Sequence, residues 1–421
     1  MFSTLRNAWK IADLRKKLIF TMMVLLIYRL GNVIPVPFIN AKAMSSYFDG
    51  ALSGTILGLY DAMSGSAFSQ ASVLALGIQP YINASIIIQL LTVAIPALER
   101  MAKEEGEIGK KKIERITRYT TVGLGVLLGF AYYTMIKSSG YGILTKNDTL
   151  SAIVIILAFT AGSSIVMWLG EQITEHGIGN GISMILFANI VASLPSTFNR
   201  LTGMKWWIGT IIGVILLLLV VFIVFINDAE RRIPIQYAKR VVGRKVYGGQ
   251  STNLPIKVSM SGVMPVIFAQ SIVSLPATIC TFGGWTHGWA YRNMFANDTW
   301  TYVVFYGLLI FFFRWFYSTI QYDPTEMSNN LKKNGGFIPG FRPGKPTADF
   351  IKKVINKIVV FGAVYLAVVA LMPLIGGKVV PGVNNLAIGG TSIIIVVGVA
   401  LETVKALEAQ MLMRHYKGFL D

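Results

Sequence analysis

Apolar stretches of roughly 20 residues recur along the whole chain, and they constrain the fold more than any other feature, because a helix of that length crosses the bilayer core. Ten such stretches are present, and the first continues without a signal-peptide cleavage site, which predicts that it is retained. The sequence therefore predicts a multi-pass membrane protein. The predicted spans are Leu18–Val36, Ser72–Leu98, Tyr119–Ile136, Thr149–Leu169, Ile178–Leu194, Trp206–Ile226, Ser259–Phe282, Thr301–Ile320, Val354–Leu374 and Leu386–Val404.

Composition supports the membrane interpretation. Hydrophobic residues make up 54% of the 421 residues and charged residues only 14%, whereas ordinary globular proteins carry about 25% charged residues. The mean hydropathy is +0.59. Together with the single cysteine, Cys280, these values exclude a standard soluble enzyme, a disordered chain and a disulfide scaffold.

Positive charge is concentrated on one side of the predicted bilayer. The formal net charge is +18, and of the 38 Lys and Arg residues 29 fall on the side of the N-terminus and 7 on the opposite side. By the positive-inside rule, both termini are expected in the cytoplasm. For many single lysines, topology and attraction to anionic lipid are sufficient explanations. Two long loops, 228–258 and 321–353, carry more charge than orientation needs, which favours an acidic or anionic cytoplasmic partner.

Two predicted spans contain polar or helix-breaking residues. The second includes Gln79, Pro80, Asn83 and Gln89, and the fifth begins within a glycine-rich turn. Such residues are tolerated at membrane depth where they face protein or a water-filled cavity. These spans are therefore expected to line the interior of the bundle.

Sequence patterns for catalysis and ion coupling are missing. No Walker A motif is present, and the three histidines lie far apart with no Cys/His cluster, so no catalytic residue, metal site or cofactor is predicted. Acidic residues are nearly absent from the spans, which disfavours a proton or sodium relay. A secondary transporter is the strongest competing class, followed by a membrane enzyme. The chain lacks the mid-span carboxylates that a transporter would need and the side-chain clusters that an enzyme would need.

Four segments carry extended motifs. They read SVLALGIQPYINASIIIQLL at 72–91, WLGEQITEHGIGNGISMIL at 168–186, YAKRVVGRKVY at 237–247 with STNLPIK at 251–257, and NLKKNGGFIPGFRPG at 330–344. These segments resemble the SecY/Sec61-alpha family of protein-conducting channels. Together with the ten spans, the resemblance covers essentially the whole chain. It implies a passive channel, not an enzyme, that passes unfolded secretory polypeptides across the bacterial cytoplasmic membrane and releases membrane segments sideways into lipid.

The resemblance also implies an all-α fold of ten transmembrane helices. Two inverted five-helix halves would surround an hourglass pore, with a short re-entrant plug helix, as expected for halves with an odd number of spans. The expected divisions are a cytoplasmic N-terminal segment at 1–17, an N-terminal half at 18–200 with the plug at about 55–68, a C-terminal half at 201–404, and a cytoplasmic tail at 405–421.

An apolar constriction of the pore is the first predicted site. Ile78 and Ile82 lie four residues apart on one helix face, and Ile182 and Leu186 repeat the spacing, a pattern that ordinary bundle packing also produces. A narrow apolar neck excludes water and ions yet lets a polypeptide push side chains aside. Which of three adjacent isoleucines at 393–395 faces the pore stays open. The ring implied by the resemblance is Ile78, Ile82, Ile182, Leu186, Ile267 and Ile395.

The segment between the first two spans is too short and too rich in glycine and serine to cross the membrane. The segment is compatible with a re-entrant or surface helix. The resemblance implies that it is the family's plug, which is a helix of this kind below the ring on the external side. Small residues would keep it weakly held. The predicted plug residues are Thr55, Ile56, Leu57, Leu59, Tyr60, Met63, Ser64 and Gly65.

Polar residues on the second and seventh spans are candidates for a lateral gate. Buried amides there would be paired when the gate is shut and hydrated when it opens, although plain interhelical hydrogen bonding explains them nearly as well. The candidates are Asn83, Gln89, Gln270 and Ser271.

The two long basic loops are the expected docking surface. The resemblance implies contacts with the ribosome and with the motor ATPase SecA, since basic side chains bind rRNA phosphates and acidic protein surfaces. It also implies the membrane subunits SecE and SecG, a translocating polypeptide with its signal sequence, and membrane lipid as partners. The candidate docking residues are Lys239, Arg240, Arg244, Lys245, Lys332, Lys333 and Arg342.

Overall fold

A computed structural model describes most of the chain. The described residues are 2–52, 56–202, 206–237, 240–242, 245–247, 251–259, 262–282, 288, 293, 299–379 and 390–417. The first half of the chain forms nine helices and a short π-helical segment, Phe48–Leu52, between α3 and α4. These helices are α1 (Phe2–Lys10), α2 (Ala12–Gly31), α3 (Ala41–Tyr47), α4 (Ile56–Ser64), α5 (Gln79–Ala94), α6 (Pro96–Lys103), α7 (Gly106–Ser138), α8 (Thr149–His176) and α9 (Gly181–Thr202).

The second half combines long helices with short strands. The helices are α10 (Trp206–Asp228), α11 (Met264–Phe282), α12 (Trp300–Gln321), α13 (Pro324–Lys333), α14 (Lys345–Val379) and α15 (Gly390–Lys417). The strands are β1 (Glu230–Tyr237), β2 (Arg240–Val242), β3 (Lys245–Tyr247), β4 (Ser251–Lys257) and β5 (Gly336–Phe337).

The helices agree with the predicted spans in number and order. Seven helices of the described residues are long and apolar enough to cross a membrane: α7, α8, α10, α11, α12, α14 and α15. The bent pair α5 and α6 passes the same test as one span, and the remaining two predicted spans fall on α2 and the shorter apolar part of α9. The fold is the predicted ten-helix bundle, although the start of the tenth predicted span, 386–389, lies outside the described residues.

The second span differs most from its prediction. Ser72 forms an isolated β-bridge with Pro35 and residues 73–78 form turns, so the helix begins at Gln79 with Pro80 in its first turn. It ends at Ile95, where the backbone is extended (φ −108°, ψ 113°) and the axis bends by 106° into α6. Pro96 causes this break, because the proline ring disfavours helical geometry in the residue before it.

Five spanning helices of each half pack mainly among themselves. Contacts between the halves occur on two sides: α5 and α7 touch α11 on one side, and α9 touches α10 and α15 on the other. The small helix α4 contacts both α9 and α11, so it lies where the two halves meet. The helices α5, α9, α11 and α15 therefore all take part in contacts between the halves.

Both termini lie at one end of the bundle. The N-terminal helix α1 packs against the last turns of α15, where Ala8, Leu14, Ile178 and Leu407 share a small buried cluster. The Thr4 hydroxyl also donates a hydrogen bond of 3.1 Å to the Glu408 carboxylate. We call this the basic end, because the sequence predicts 29 of the lysines and arginines on the side of the N-terminus.

A sheet at the basic end was not predicted from the sequence. Strand β1 lies between β4 and β5, antiparallel to both, with Ile235 opposite Thr252 and Gln236 opposite Phe337. The two long basic loops are therefore partly β-structure and are joined to each other by main-chain pairing. Strands β2 and β3 form a separate hairpin.

Candidate functional site

The six predicted ring residues all belong to the main hydrophobic core of the bundle or pack against it. Ile78, Ile82, Leu186, Ile267 and Ile395 belong to the main hydrophobic core, and the partly buried Ile182 packs against it. They are supplied by α5 and the turn before it, by α9, by α11 and by α15, so both halves of the bundle contribute. The main core thus includes ring candidates from both halves.

Neighbouring residues identify a packing partner for Ile78 but do not separate the three isoleucines at 393–395. The Cδ1 atom of Ile78 lies 3.4 Å from where a Cβ on Gly170 would stand, so this side chain leans on α8. The isoleucines at 393, 394 and 395 are all buried, with exposures of 8%, 2% and 3%, and burial alone does not single out one of them.

The predicted plug forms a helix. It is α4, Ile56–Ser64, close to the expected range 55–68, while Thr55 and the side chains of Ile56 and Leu59 lie outside the description. Leu57, Tyr60 and Ser64 are buried, whereas Met63 and Gly65 are partly exposed.

The turn after α4 is anchored by an aromatic cluster. Phe68 is fully buried, with its ring centroid 4.6 Å from that of Tyr132 in edge-to-face geometry. The Tyr132 hydroxyl donates a 2.7 Å hydrogen bond to the Phe68 carbonyl oxygen. The apolar burial and this bond hold the segment between α4 and α5 against α7.

Helices α5 and α11 are in contact, and one side-chain hydrogen bond joins them. The Gln79 amide donates to the Ser271 hydroxyl at 3.3 Å, and both residues are buried. Gln79 was not among the gate candidates, although it lies four residues, one helical turn, before Asn83. That spacing is the signal that could have identified it.

The other gate candidates occupy different positions. The Gln89 side chain accepts a 2.9 Å hydrogen bond from the Tyr317 hydroxyl of α12, so it faces the neighbour of α11. Asn83 and Gln270 are buried. Within the described part of the chain, the buried Asn83 side-chain oxygen has no hydrogen-bond partner.

The basic-end sheet has its own hydrophobic core. Ile233 of β1, Ile256 of β4 and Ile338 after β5 pack with Ile351 and Ile355 of α14. The alternation of Ile233 with Ile235, and of Leu254 with Ile256, is typical of strands with one buried face and was available in the sequence. The two long basic loops are thus one packed unit rather than two separate loops.

Basic side chains project from this unit into solvent. Lys332 and Lys333 are exposed in the last turn of α13, and Arg342 is exposed in the turn before α14. Arg240 and Lys245 lie on the backbone of the β2–β3 hairpin, opposite Tyr247 and Val242 respectively, and Lys239 and Arg244 lie outside the described residues. The first turns of α14 add four exposed lysines, Lys345, Lys352, Lys353 and Lys357.

The part of the chain that the structure describes contains no cluster of typical metal-ligating side chains. No group of three or more His, Cys, Asp or Glu side chains there is arranged to hold a metal ion. What the described residues do show is an apolar core shared by both halves, a small helix where the halves meet, a contact between α5 and α11, and a basic face.

Comparison with known proteins identifies the family. The SecY family model matches residues 72–404, most of the chain. The chain is 43% identical to the protein translocase subunit SecY of Streptomyces galbus over the whole of both chains. It is 42% identical to that of Thermotoga maritima, covering all of this chain and 98% of the relative.

Solved structures agree in fold. A protein-conducting channel matches with a TM-score of 0.67 at 19% identity, covering 94% of this chain and 92% of that one. Sec61 from the canine ribosome–channel complex matches with a TM-score of 0.62 at 18% identity, again over 94% and 92%. The chain therefore belongs to the SecY family, and it is a multi-pass membrane protein and a protein-conducting channel subunit of the translocase, not an enzyme.

Proposed function

We propose that the structure is the shut form of a channel whose pore runs between the two halves of the bundle. One observation carries this proposal: apolar residues from α5, α9, α11 and α15 meet in one cluster, and α4 lies against α9 and α11 where the halves join. The six ring residues would form the neck, and α4 would be the plug. An apolar neck of this kind resists ions by excluding water.

The contact between α5 and α11 is the proposed lateral gate. Its hydrogen bond from Gln79 to Ser271 would be exchanged for water or for a signal sequence when the helices part. The buried oxygen of Asn83 would gain a partner in the hydrated open state. Parting the helices is favourable for these two polar side chains only when water or polypeptide enters to pair with them. Without such a partner, the gate stays shut.

The basic end is the proposed docking face for the ribosome and for SecA. Its exposed lysines and arginines are mounted on a packed sheet, which suits rRNA phosphates or an acidic protein surface. Similar folds have been solved in ribosome-bound complexes, namely canine Sec61 and the yeast Ssh1 complex. With this face in the cytoplasm, both termini would also be cytoplasmic and the chain would sit in the bacterial cytoplasmic membrane.

Small membrane subunits complete the proposal. The helix α10 exposes a long apolar face that includes Trp207, Leu217 and Phe225, and such a face must contact lipid or another helix. The family resemblance implies SecE across the two halves and SecG at the periphery. Co-purification of a small membrane subunit from native membranes would support this composition, and its absence from the purified complex would contradict it.

Deleting the plug tests the proposed pore. Removal of residues 55–67 should raise ion conductance across planar bilayers without abolishing secretion, because the neck would lose its seal while the path for polypeptide stays open. A related structure is described as one in which the plug domain stabilises the closed state and maintains a membrane seal. Conductance equal to that of the intact protein would overturn the assignment of α4 as the plug.

A further inference from the structure

The C-terminal end of α4 is held by side chains from two other helices. The last carbonyls of an α-helix lack partners within the helix. Here the Met63 oxygen accepts a 2.7 Å hydrogen bond from the Asn189 amide, and the Ser64 oxygen accepts one of 3.2 Å from Asn32. The next oxygen, of Gly65, accepts a 3.1 Å bond from the Arg29 guanidinium. Three successive carbonyls are therefore bound by residues outside the plug.

The donors are fixed in place. Asn189 lies on α9 and is fully buried, and its amide nitrogen also donates a 2.8 Å bond to the Tyr28 hydroxyl, so both of its hydrogens are used. Asn32 follows α2 directly and is buried as well. Arg29 brings a positive charge to the end of a helix where the macrodipole is negative, which is the favourable pairing.

Gly65 makes this approach possible. Its φ of +68° is the left-handed conformation that usually ends a helix and that glycine adopts without strain. A Cβ at this position would stand 2.5 Å from the Arg29 guanidinium and 2.8 Å from the side-chain oxygen of Asn189. Any larger residue would therefore push the donors away from the carbonyls.

We propose that Arg29, Asn32 and Asn189 form a polar latch that sets how strongly a signal sequence must bind before the channel opens. The inference rests on the proposed role of α4 as the plug. The apolar contacts of α4 tolerate sliding, whereas three directed hydrogen bonds are satisfied in one position only. A signal sequence shifts the shut–open equilibrium only by its preference for the open state. The latch residues are thus positioning residues that determine which clients are admitted.

Replacing Asn189 by leucine tests the latch with little change in side-chain size. Asn189→Leu should raise the open fraction about tenfold, equivalent to about 1.4 kcal/mol. Ion conductance should rise, and export of a client with a shortened signal core should rise with it, while export of the same client with an intact signal stays the same. Val191→Ala, a partly exposed position on the same helix, should change neither quantity.

A plug-deleted background separates the latch from a general packing effect. Without residues 55–67, Asn189→Leu should add no further conductance, because the carbonyls that it binds are gone. Additional conductance of Asn189→Leu in that background would overturn the latch. The latch would also be overturned if the deletion alone leaks but Asn189→Leu in the intact chain leaves the conductance unchanged. If the deletion does not leak, the plug assignment fails instead.

A second variant guards against misfolding of the first. Arg29→Met should raise conductance in the same way, and Arg29→Lys should restore most of the seal because it keeps a cation near the Gly65 oxygen. If Arg29 had only a structural role, both variants would lower the thermal midpoint of the purified protein, and export of clients with weak and with intact signals would change equally. That result would contradict the proposal.

Discussion

Replacing Ile351 by alanine should loosen the sheet that joins the two basic loops. The Ile351 side chain is 0% exposed and packs with Ile233, Ile256, Ile338 and Ile355 between the sheet and α14. Removing most of such a buried side chain costs about 2 to 5 kcal/mol, because the neighbours fill the cavity only partly. The unit contains few other buried side chains, so this cost is a large fraction of its local stability.

Hydrogen exchange measured by mass spectrometry is the direct assay. Amides of β1 and β4 should exchange about 30-fold faster or more in Ile351→Ala, the ratio that 2 kcal/mol gives at 25 °C. Ile351→Val should have a much smaller effect, since that change typically costs about 0.5 to 1.5 kcal/mol. The neighbouring exposed Lys352→Ala serves as the surface control.

The same variant should separate docking from sealing. SecA-driven export should fall, because the docking residues would no longer be held in one arrangement, while ion conductance of the idle channel stays at the level of the intact protein. Unchanged exchange in β1 and β4 would refute the claim that the two loops form one packed unit. Raised conductance would show that the sheet also holds the pore shut.

Two further substitutions test the docking face and the helix packing. Arg342→Glu should leave the protein folded and inserted but abolish SecA-driven export. The charge-reversal control is Lys146→Glu, an exposed position in the loop before α8 on the opposite predicted side, which should leave export normal. Normal export by the Arg342 variant would remove this residue from the docking site. Gly181→Ala should sharply lower the yield of folded protein, because its Cβ would collide with the Gly170 carbonyl oxygen of α8. Gly213→Ala, where nothing lies within 4 Å, should be tolerated, and equal yields of the two would contradict the close approach of α8 and α9.

Features that depend on local sequence could be predicted. The ten spans follow from the length of the apolar stretches, and the helix α4 follows from a short segment of small and apolar residues between two spans. The sidedness of the charges predicted that both termini lie at one end, and the packing of α1 against α15 agrees with this.

Features that depend on pairing between distant segments could not be predicted. The strand β5 has two residues and gains its identity only from β1, about a hundred positions earlier, through the pair Gln236 and Phe337. The bond between Gln79 and Ser271 joins residues 192 positions apart, and the latch residues Arg29 and Asn189 come from α2 and α9 to bind carbonyls at the end of α4. A single sequence shows which side chains are polar but not which ones face each other.

Cross-linking of a polypeptide in transit tests the central claim most directly. A photoreactive residue placed at Leu186, in the proposed neck, should cross-link to a secretory chain that is stalled halfway through the membrane. The same residue at Leu217, on the exposed face of α10, should cross-link to lipid or to a small subunit and not to the stalled chain. If the stalled chain were captured from Leu217 and not from Leu186, the polypeptide would not pass between the two halves, and the proposed pore would be wrong.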